Sequence, residues 1–218
     1  MIPHPVSRNA MRAPHKDALI WSGRSLSWQQ LEGYIPSTAR QLKEIGVRET
    51  MRVGIAGRNS VSYVVLLYAL WELKASVVLI DTRLSSLEMS RAAEASGCRF
   101  VFTEPLFEKV FLTKTLMIAD AVAFDAVSAH FDVKPRILSD IDVNKEAFLI
   151  MRGGPSKGSG FLPYAFDALH RDATVALAMM PSFSSEVWQL TRPLSSLSGM
   201  VILILSLVGG EAVVIKDE

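Results

Sequence analysis

A chain of 218 residues, 50% hydrophobic and 21% charged, can bury a substantial core and is typical of a globular α/β or α-rich protein. Its net charge of +1 gives no bulk attraction to nucleic acid or to an anionic membrane, so neither is expected as a partner. Cys98 is the single cysteine, which excludes an intrachain disulfide and a cysteine zinc site. The apolar residues after it favour a buried core position.

Targeting and metal-binding signals are missing from the sequence. The first residues lack the apolar run of a signal peptide, and the longest uncharged apolar segment, 197–208, is shorter than the roughly 20 residues of a membrane span. The histidines are scattered without metal-ligand spacing. We therefore expect a cytoplasmic protein without a bound metal.

The first part of the chain predicts a hairpin and a helix. Residues 18–27 favour a hairpin with Gly23 at its turn. Ser27 and Gln30 fit a capping box that opens a helix ending at Gly46. Pro36 lies inside this helix and is expected to kink or split it.

The segment 51–103 predicts a βαβαβ unit. Apolar runs of strand length alternate with capped helical patterns, the first capped by Asn59 or Ser60 and the second by a box of Ser85 and Glu88. The predicted order is strand 51–56, helix to 74, strand 76–80, helix to 95 and strand 99–103. This alternation predicts a parallel sheet with helices on its faces.

The second part of the chain is less regular. From 104 to 142 the pattern loosens, with a short apolar stretch near 116–118. A strand at 148–151 then leads into a loop rich in glycine, residues 152–160, which we call the glycine-rich loop. Helices at 164–180 and 194–208 and a strand at 211–215 follow, and we treat 1–218 as one domain.

The glycine-rich loop admits two interpretations. A buried strand that enters such a loop brings backbone N–H groups up to a phosphate, although neither the P-loop nor the dinucleotide-binding pattern fits. Composition alone is equally consistent with a mobile turn.

Short motifs resemble, in order and spacing, those of the adenylate-forming acyl-CoA synthetase superfamily. Ser27 to Leu31 is similar to the helix start (T/S)-(Y/W)-x-x-L, and 46–56 to the strand entry G-V-x-x-G-D-x-V-A-I. Asn59 to Tyr63 matches N-S-x-x-(Y/F), and 79–88 resembles (P/I)-(L/I)-(D/N)-x-R-L-x-x-x-E-(L/M). Within the superfamily, 193–215 is most similar to o-succinylbenzoate–CoA ligases.

The resemblance implies the N-terminal part of such an enzyme: an α/β fold with a mostly parallel sheet flanked by helices. It implies a two-step reaction in which a carboxylate attacks the α-phosphate of ATP to give an acyl-adenylate, and coenzyme A then displaces AMP. For this ligase group it also implies menaquinone biosynthesis. The family's adenine-binding segment, ribose-binding aspartate and C-terminal domain with the catalytic lysine are expected beyond residue 218.

The family's loop for the β- and γ-phosphates, T-S-G-(S/T)-T-G-x-P-K-G, falls on 152–161 with several substitutions. Pro155 replaces a hydroxyl and removes an N–H donor, and Gly160 stands at the family's lysine. We expect a degenerate phosphate loop in which the cations meet phosphate only as point charges, and no catalytic residue. Its candidate ligand-binding residues are Arg152, Gly153, Gly154, Ser156 and Lys157.

The family's P-L-(F/Y)-H-x-S-G-(L/M) motif falls on 193–200. Ser195 and Ser196 replace its aromatic residue and its histidine, while Gly199 is retained. The resemblance implies that these three residues line the pocket for a small carboxylic acid, with two small hydroxyls in place of a bulkier wall.

Two functions remain open. The chain is expected to be a truncated, catalytically degenerate relative, a pseudoenzyme that needs no cofactor and binds a ligand or a partner. The alternative is the N-terminal piece of a split or longer ATP-dependent acid–CoA ligase, which would use ATP and coenzyme A and release AMP. In the first case the strand 212–215 and the helix before it would be uncovered, so we expect a homodimer or protein partner to bind through 194–215.

Overall fold

A computed structural model of the chain describes residues 4–118, 146–152, 160–180 and 187–216. Within these ranges the helices are α1 (Pro5–Arg12), α2 (Trp28–Glu44), α3 (Val61–Glu72), α4 (Ser86–Ala95), α5 (Phe166–Met179) and α6 (Leu197–Gly209), with a 3₁₀ helix at Pro105–Val110. The strands are β1 (Asp17–Trp21), β2 (Arg24–Ser27), β3 (Arg52–Ala56), β4 (Ser76–Leu79), β5 (Phe100–Thr103), β6 (Thr115–Met117), β7 (Glu146–Arg152), β8 (Gly160–Ala165), β9 (Val187–Leu190) and β10 (Ala212–Ile215).

The larger of the two sheets has the order β6-β5-β3-β4-β7-β8 in the part of the chain that the structure describes. Its strands are parallel except for β8, which runs antiparallel to β7. Val77 and Leu79 of β4 enter the core shared with α2 and α3, while Val78 enters a smaller core with α4. Burial on both faces explains the continuous apolar strands, and the predicted α/β fold with a mostly parallel sheet is confirmed.

The smaller sheet has the order β2-β1-β10-β9 among the described strands. The predicted hairpin forms its β1–β2 edge, with Ser22 and Gly23 at positive φ in the two-residue turn. β10 is parallel to both of its neighbours, with Val213 opposite Leu19 on one side and Trp188 on the other. The prediction that 212–215 presents an uncovered edge is therefore wrong, and the physical reason for a dimer through that strand disappears.

Helix α1 was not predicted. Its side chains donate hydrogen bonds to main-chain carbonyls at the C-terminal end of α6. His4 caps α1, with Nδ1 accepting from the Val6 N–H at 3.3 Å. Arg8 donates to the Val208 carbonyl at 2.6 Å, and Asn9 donates to the Leu207 carbonyl at 2.9 Å. These bonds satisfy carbonyl groups that the end of a helix leaves without a partner.

Other boundaries differ from the predictions for local reasons. The predicted helix 164–180 begins at Phe166, because the residues before it form β8, an edge strand that tolerates Pro163. The predicted helix 194–208 begins at Leu197 because Ser196 is its N-cap. Strand β9 was not predicted, and α2 is one helix that continues through Pro36 rather than two.

The predictions for the two capping boxes and for Cys98 are confirmed. Both capping boxes form, at Ser27 with Gln30 and at Ser85 with Glu88. Cys98 is buried in the smaller core. No helix in the described ranges is long and apolar enough to cross a membrane. The stretch 119–145 lies outside the described residues.

Candidate functional site

The candidate site lies where parallel strands β5, β3, β4 and β7 end, which we call the carboxyl edge. In open α/β sheets, ligands bind outside the carboxyl ends of the strands. The segments that leave this edge are 57–60 after β3, 80–85 after β4, residue 104 after β5 and the glycine-rich loop after β7. Most of the polar groups described below come from these segments.

Glu104 ties the end of β5 to the end of β3. Its carboxylate accepts from the Arg58 backbone N–H at 2.6 Å and from the Arg58 guanidinium at 3.0 Å. Below this pair, the Thr103 hydroxyl donates to the Ala56 carbonyl at 2.9 Å. The two strand ends are thus held together by side chains as well as by the β ladder.

Asp81 forms the next polar group along the edge. Its carboxylate accepts from the Arg83 guanidinium at 2.6 Å and 2.9 Å, and this hydrogen bonding lowers the pKa of Asp81. The Tyr63 hydroxyl is fully buried and has no hydrogen-bond partner among the described residues. Burial, and secondarily the Asp81 charge, raises the pKa of Tyr63, so the phenol stays neutral. The edge therefore combines a carboxylate whose ionised form is stabilised with a neutral phenol.

The structure describes only the two ends of the glycine-rich loop. Arg152 is the last residue of β7 and pairs across the ladder with Gly160, the first residue of β8. Gly160 is exposed, and no described atom lies within 4 Å of the position that its Cβ would occupy. Gly153, Gly154, Ser156 and Lys157 lie outside the described residues. The first residue of β8, where the resemblance predicts a lysine, is therefore a glycine without a side chain.

The three predicted pocket residues lie together at the start of α6. We call residues 191–196, between β9 and α6, the serine loop. Ser196 caps the helix: its hydroxyl accepts from the Gly199 N–H at 3.2 Å and donates to the Pro193 carbonyl at 2.7 Å. Ser195 is buried, at 7% exposure. A Cβ at Gly199 would lie 2.7 Å from the carbonyl carbon of Pro193, so only glycine fits there.

Asn59 joins the serine loop to the carboxyl edge. Its Oδ1 accepts from the Leu194 N–H at 2.7 Å, and its Nδ2 donates to the Arg192 carbonyl at 2.9 Å. The sequence predicted either Asn59 or Ser60 as the cap of α3, and in the structure the cap is Ser60. The motif N-S-x-x-(Y/F) could have indicated the contact of Asn59 with the serine loop. Helix capping accounts for the serine of that motif but leaves its asparagine unexplained.

The arrangement brings two helix N-termini to one edge of the sheet. Ser60 is the N-cap of α3 and Ser196 is the N-cap of α6, and the Asn59 bonds hold these two helix starts close together. Helix N-termini attract anions, because their N–H groups and dipoles carry partial positive charge. The glycine-rich loop starts from β7, two strands from β3, or about 10 Å at the usual strand spacing. The described residues hold no cluster of metal ligands.

Comparisons with known proteins find a matching family model and solved structures with a similar fold. The family model described as "AMP-binding enzyme" matches residues 6–157. A 2-succinylbenzoate–CoA ligase of Bacillus pumilus is 22% identical over 223 residues, which cover 99% of this chain and 44% of that protein. The fold matches the o-succinylbenzoate CoA synthetase of Bacillus subtilis in complex with the acyl-adenylate intermediate OSB-AMP, with a TM-score of 0.87 at 21% identity. That match covers 99% of this chain and 44% of the other, so the chain spans less than half the length of these relatives.

Proposed function

The chain belongs to the AMP-binding enzyme family, and from this premise we propose that it is a catalytically degenerate relative of the AMP-forming acid–CoA ligases. In this proposal it binds an anionic small ligand, or a protein partner, at the carboxyl edge. On its own it does not form an acyl-adenylate. No cofactor is needed for that role.

The proposed loss of catalysis rests on one observation, the cross-strand pairing of Arg152 in β7 with Gly160 in β8. The pair fixes Gly160 as the first residue of β8, at the position where the resemblance places a lysine. A glycine offers no charge to a phosphate, and outside its chain neighbours no described atom lies within 4 Å of the position that its Cβ would occupy. Pro155 removes a further donor from the same loop. Losing one preorganised contact to a developing charge costs about 3 kcal/mol in an active site, and here several are substituted.

Ligand binding is supported by the partial positive charge that helix N-termini carry. The N-termini of α3 and α6 meet at the carboxyl edge, and Ser195, Ser196 and Gly199 lie at the start of α6. Arg152 and Lys157 add two cations to the segment that leaves β7. A carboxylate or a phosphate is the ligand class that such a site favours.

The alternative is that the chain is the N-terminal piece of a split or longer ATP-dependent acid–CoA ligase. The observation that favours it is the coverage: the chain aligns with 44% of the length of each of two 2-succinylbenzoate–CoA ligases. A second polypeptide segment would then supply the remaining groups. ATP, AMP, coenzyme A and a small carboxylic acid such as 2-succinylbenzoate would be the ligands.

The proposal is tested with the purified chain. A non-hydrolysable sulfamoyl analogue of the 2-succinylbenzoyl adenylate is titrated calorimetrically, and pyrophosphate release from ATP is measured with and without 2-succinylbenzoate. We expect binding of the analogue without acid-dependent release of pyrophosphate. Release above a control without protein would overturn the loss of catalysis, and failure to bind any analogue or nucleotide would overturn the small-ligand role. Release that appears only when the C-terminal remainder of a relative is added would select the split-ligase alternative.

A further inference from the structure

Asn59 occupies an unusual place between the two sheets. It follows β3 of the larger sheet, and the serine loop that it contacts leads from β9 of the smaller sheet into α6. The residue is 6% exposed, and both the oxygen and the nitrogen of its side-chain amide bond to the main chain of that one loop. The partners, Arg192 and Leu194, lie 133 and 135 residues further along the chain.

The serine loop is fixed internally by its own hydrogen bonds. The Pro193 carbonyl accepts from both the N–H and the hydroxyl of Ser196, at 2.9 Å and 2.7 Å. The close approach of Gly199 to that same carbonyl packs the first turn of α6 against the loop. A segment stabilised in this way keeps its shape, so a contact to another element decides where the segment as a whole lies.

We propose that Asn59 is a positioning residue that sets the distance and orientation of the serine loop relative to the carboxyl edge. An amide suits this role because it offers one acceptor to the Leu194 N–H and one donor to the Arg192 carbonyl. Neither a carboxylate nor an aliphatic side chain offers both. The consequence for ligand affinity rests on the function proposed above, whereas the positioning itself does not.

Asn9 provides a matched control for general destabilisation. It is also a buried asparagine, at 5% exposure, and its Nδ2 also donates to a main-chain carbonyl at 2.9 Å. That carbonyl belongs to Leu207, near the opposite end of α6 from the serine loop. Asn59→Asp and Asn9→Asp therefore remove equivalent donors, one at the serine loop and one far from it.

The first measurement is amide hydrogen exchange by NMR. In Asn59→Ala the Leu194 N–H loses its acceptor, and we expect its exchange to accelerate about tenfold or more. In Asn9→Asp it should change less than about twofold. Equal acceleration in both variants, or none in Asn59→Ala, would overturn the proposal.

The second measurement is the pH dependence of the amide chemical shifts of residues 194–200 in Asn59→Asp. When ionised, the introduced carboxyl group still accepts from Leu194 but repels the Arg192 carbonyl. When protonated, its O–H replaces the lost donor, and burial raises its pKa above the ordinary value of about 3.9. We expect these shifts to return towards those of the wild type as the pH is lowered, whereas Asn9→Asp shows no such titration at the serine loop. Shifts that stay unchanged with pH would contradict the proposal, and the comparison does not require Asn59→Ala to fold.

The third measurement separates positioning from the proposed ligand role. The sulfamoyl analogue is titrated into the wild type, Asn59→Ala and Asn9→Asp. We expect affinity to fall about tenfold or more in Asn59→Ala and to stay within about twofold in Asn9→Asp. Equal affinity in all three proteins would overturn the link between Asn59 and the ligand. If the wild type does not bind the analogue, the small-ligand role in the proposed function is refuted. The hydrogen-exchange and pH measurements still decide whether Asn59 positions the serine loop.

Discussion

The substitution Gly199→Ala sets two opposed effects against each other in one helix. Alanine is favoured over glycine inside a helix by about 1 kcal/mol. The added Cβ, however, would lie 2.7 Å from the Pro193 carbonyl carbon and 3.0 Å from the Arg192 carbonyl oxygen. Both are backbone groups held by hydrogen bonds from Ser196 and Asn59, so they cannot move without breaking those bonds. Overpacking of this kind typically costs 1–3 kcal/mol, and lost hydrogen bonds add about 1 kcal/mol each.

We therefore expect Gly199→Ala to destabilise the protein by about 2 kcal/mol, which lowers the Tm by about 4–8 °C in a chain of this size. Gly209→Ala is the matched control at the other end of α6, because its added Cβ would meet Leu177 and Glu211 side chains at an ordinary 3.6 Å. That variant should be neutral or more stable by up to about 1 kcal/mol. Thermal unfolding followed by circular dichroism measures both. A Gly199→Ala protein as stable as the wild type would refute the argument from backbone contact.

Two further predictions concern buried titratable groups. Burial lowers the pKa of His4 to about 4, so the unfolded chain takes up a proton more readily, and stability is lost as the pH falls from 6.5 towards 4. The loss of unfolding free energy amounts to about 3 kcal/mol at pH 4. His4→Asn keeps a capping acceptor and should reduce this loss, which urea titrations at several pH values measure. A pH dependence unchanged by the substitution would exclude His4 as its source. Burial raises the pKa of the Cys98 thiol to about 11, so a fraction of only about 0.001 is thiolate at pH 8. Ellman's reagent should label Cys98 only after denaturant is added, and rapid labelling of the folded protein would contradict its burial.

The elements that could be predicted are those encoded by local sequence. Strands β3, β4 and β5 are continuous apolar runs because the sheet is buried on both faces, and such runs are visible without knowledge of their neighbours. The two capping boxes involve residues three apart and formed as predicted. Local order of this kind needs no long-range partner to be recognised.

The elements that were missed depend on distant partners. Helix α1 is held through Arg8 and Asn9, whose acceptors on α6 lie about 200 residues away in sequence. The error about the edge of β10 has the same origin, because its pairing with β1 joins Leu19 to Val213. No local pattern in either segment indicates these contacts.

The candidate site was predicted only in part, because some of its residues lie in one segment and others are joined by long-range contacts. The positions of Ser195, Ser196 and Gly199 came from a motif within one segment, and the structure places all three at the start of α6. The role of Asn59 was missed because its hydrogen-bond partners lie on the serine loop. That these residues bind a ligand remains a prediction.

The most direct test of the central claim is ATP–pyrophosphate exchange, which reports the reversible formation of an acyl-adenylate. The purified chain is incubated with ATP, magnesium, labelled pyrophosphate and 2-succinylbenzoate, beside an intact 2-succinylbenzoate–CoA ligase as the positive control. Because Gly160 stands at the start of β8 without a side chain, we predict exchange no faster than in a control without protein. Acid-dependent exchange above that control would contradict the account.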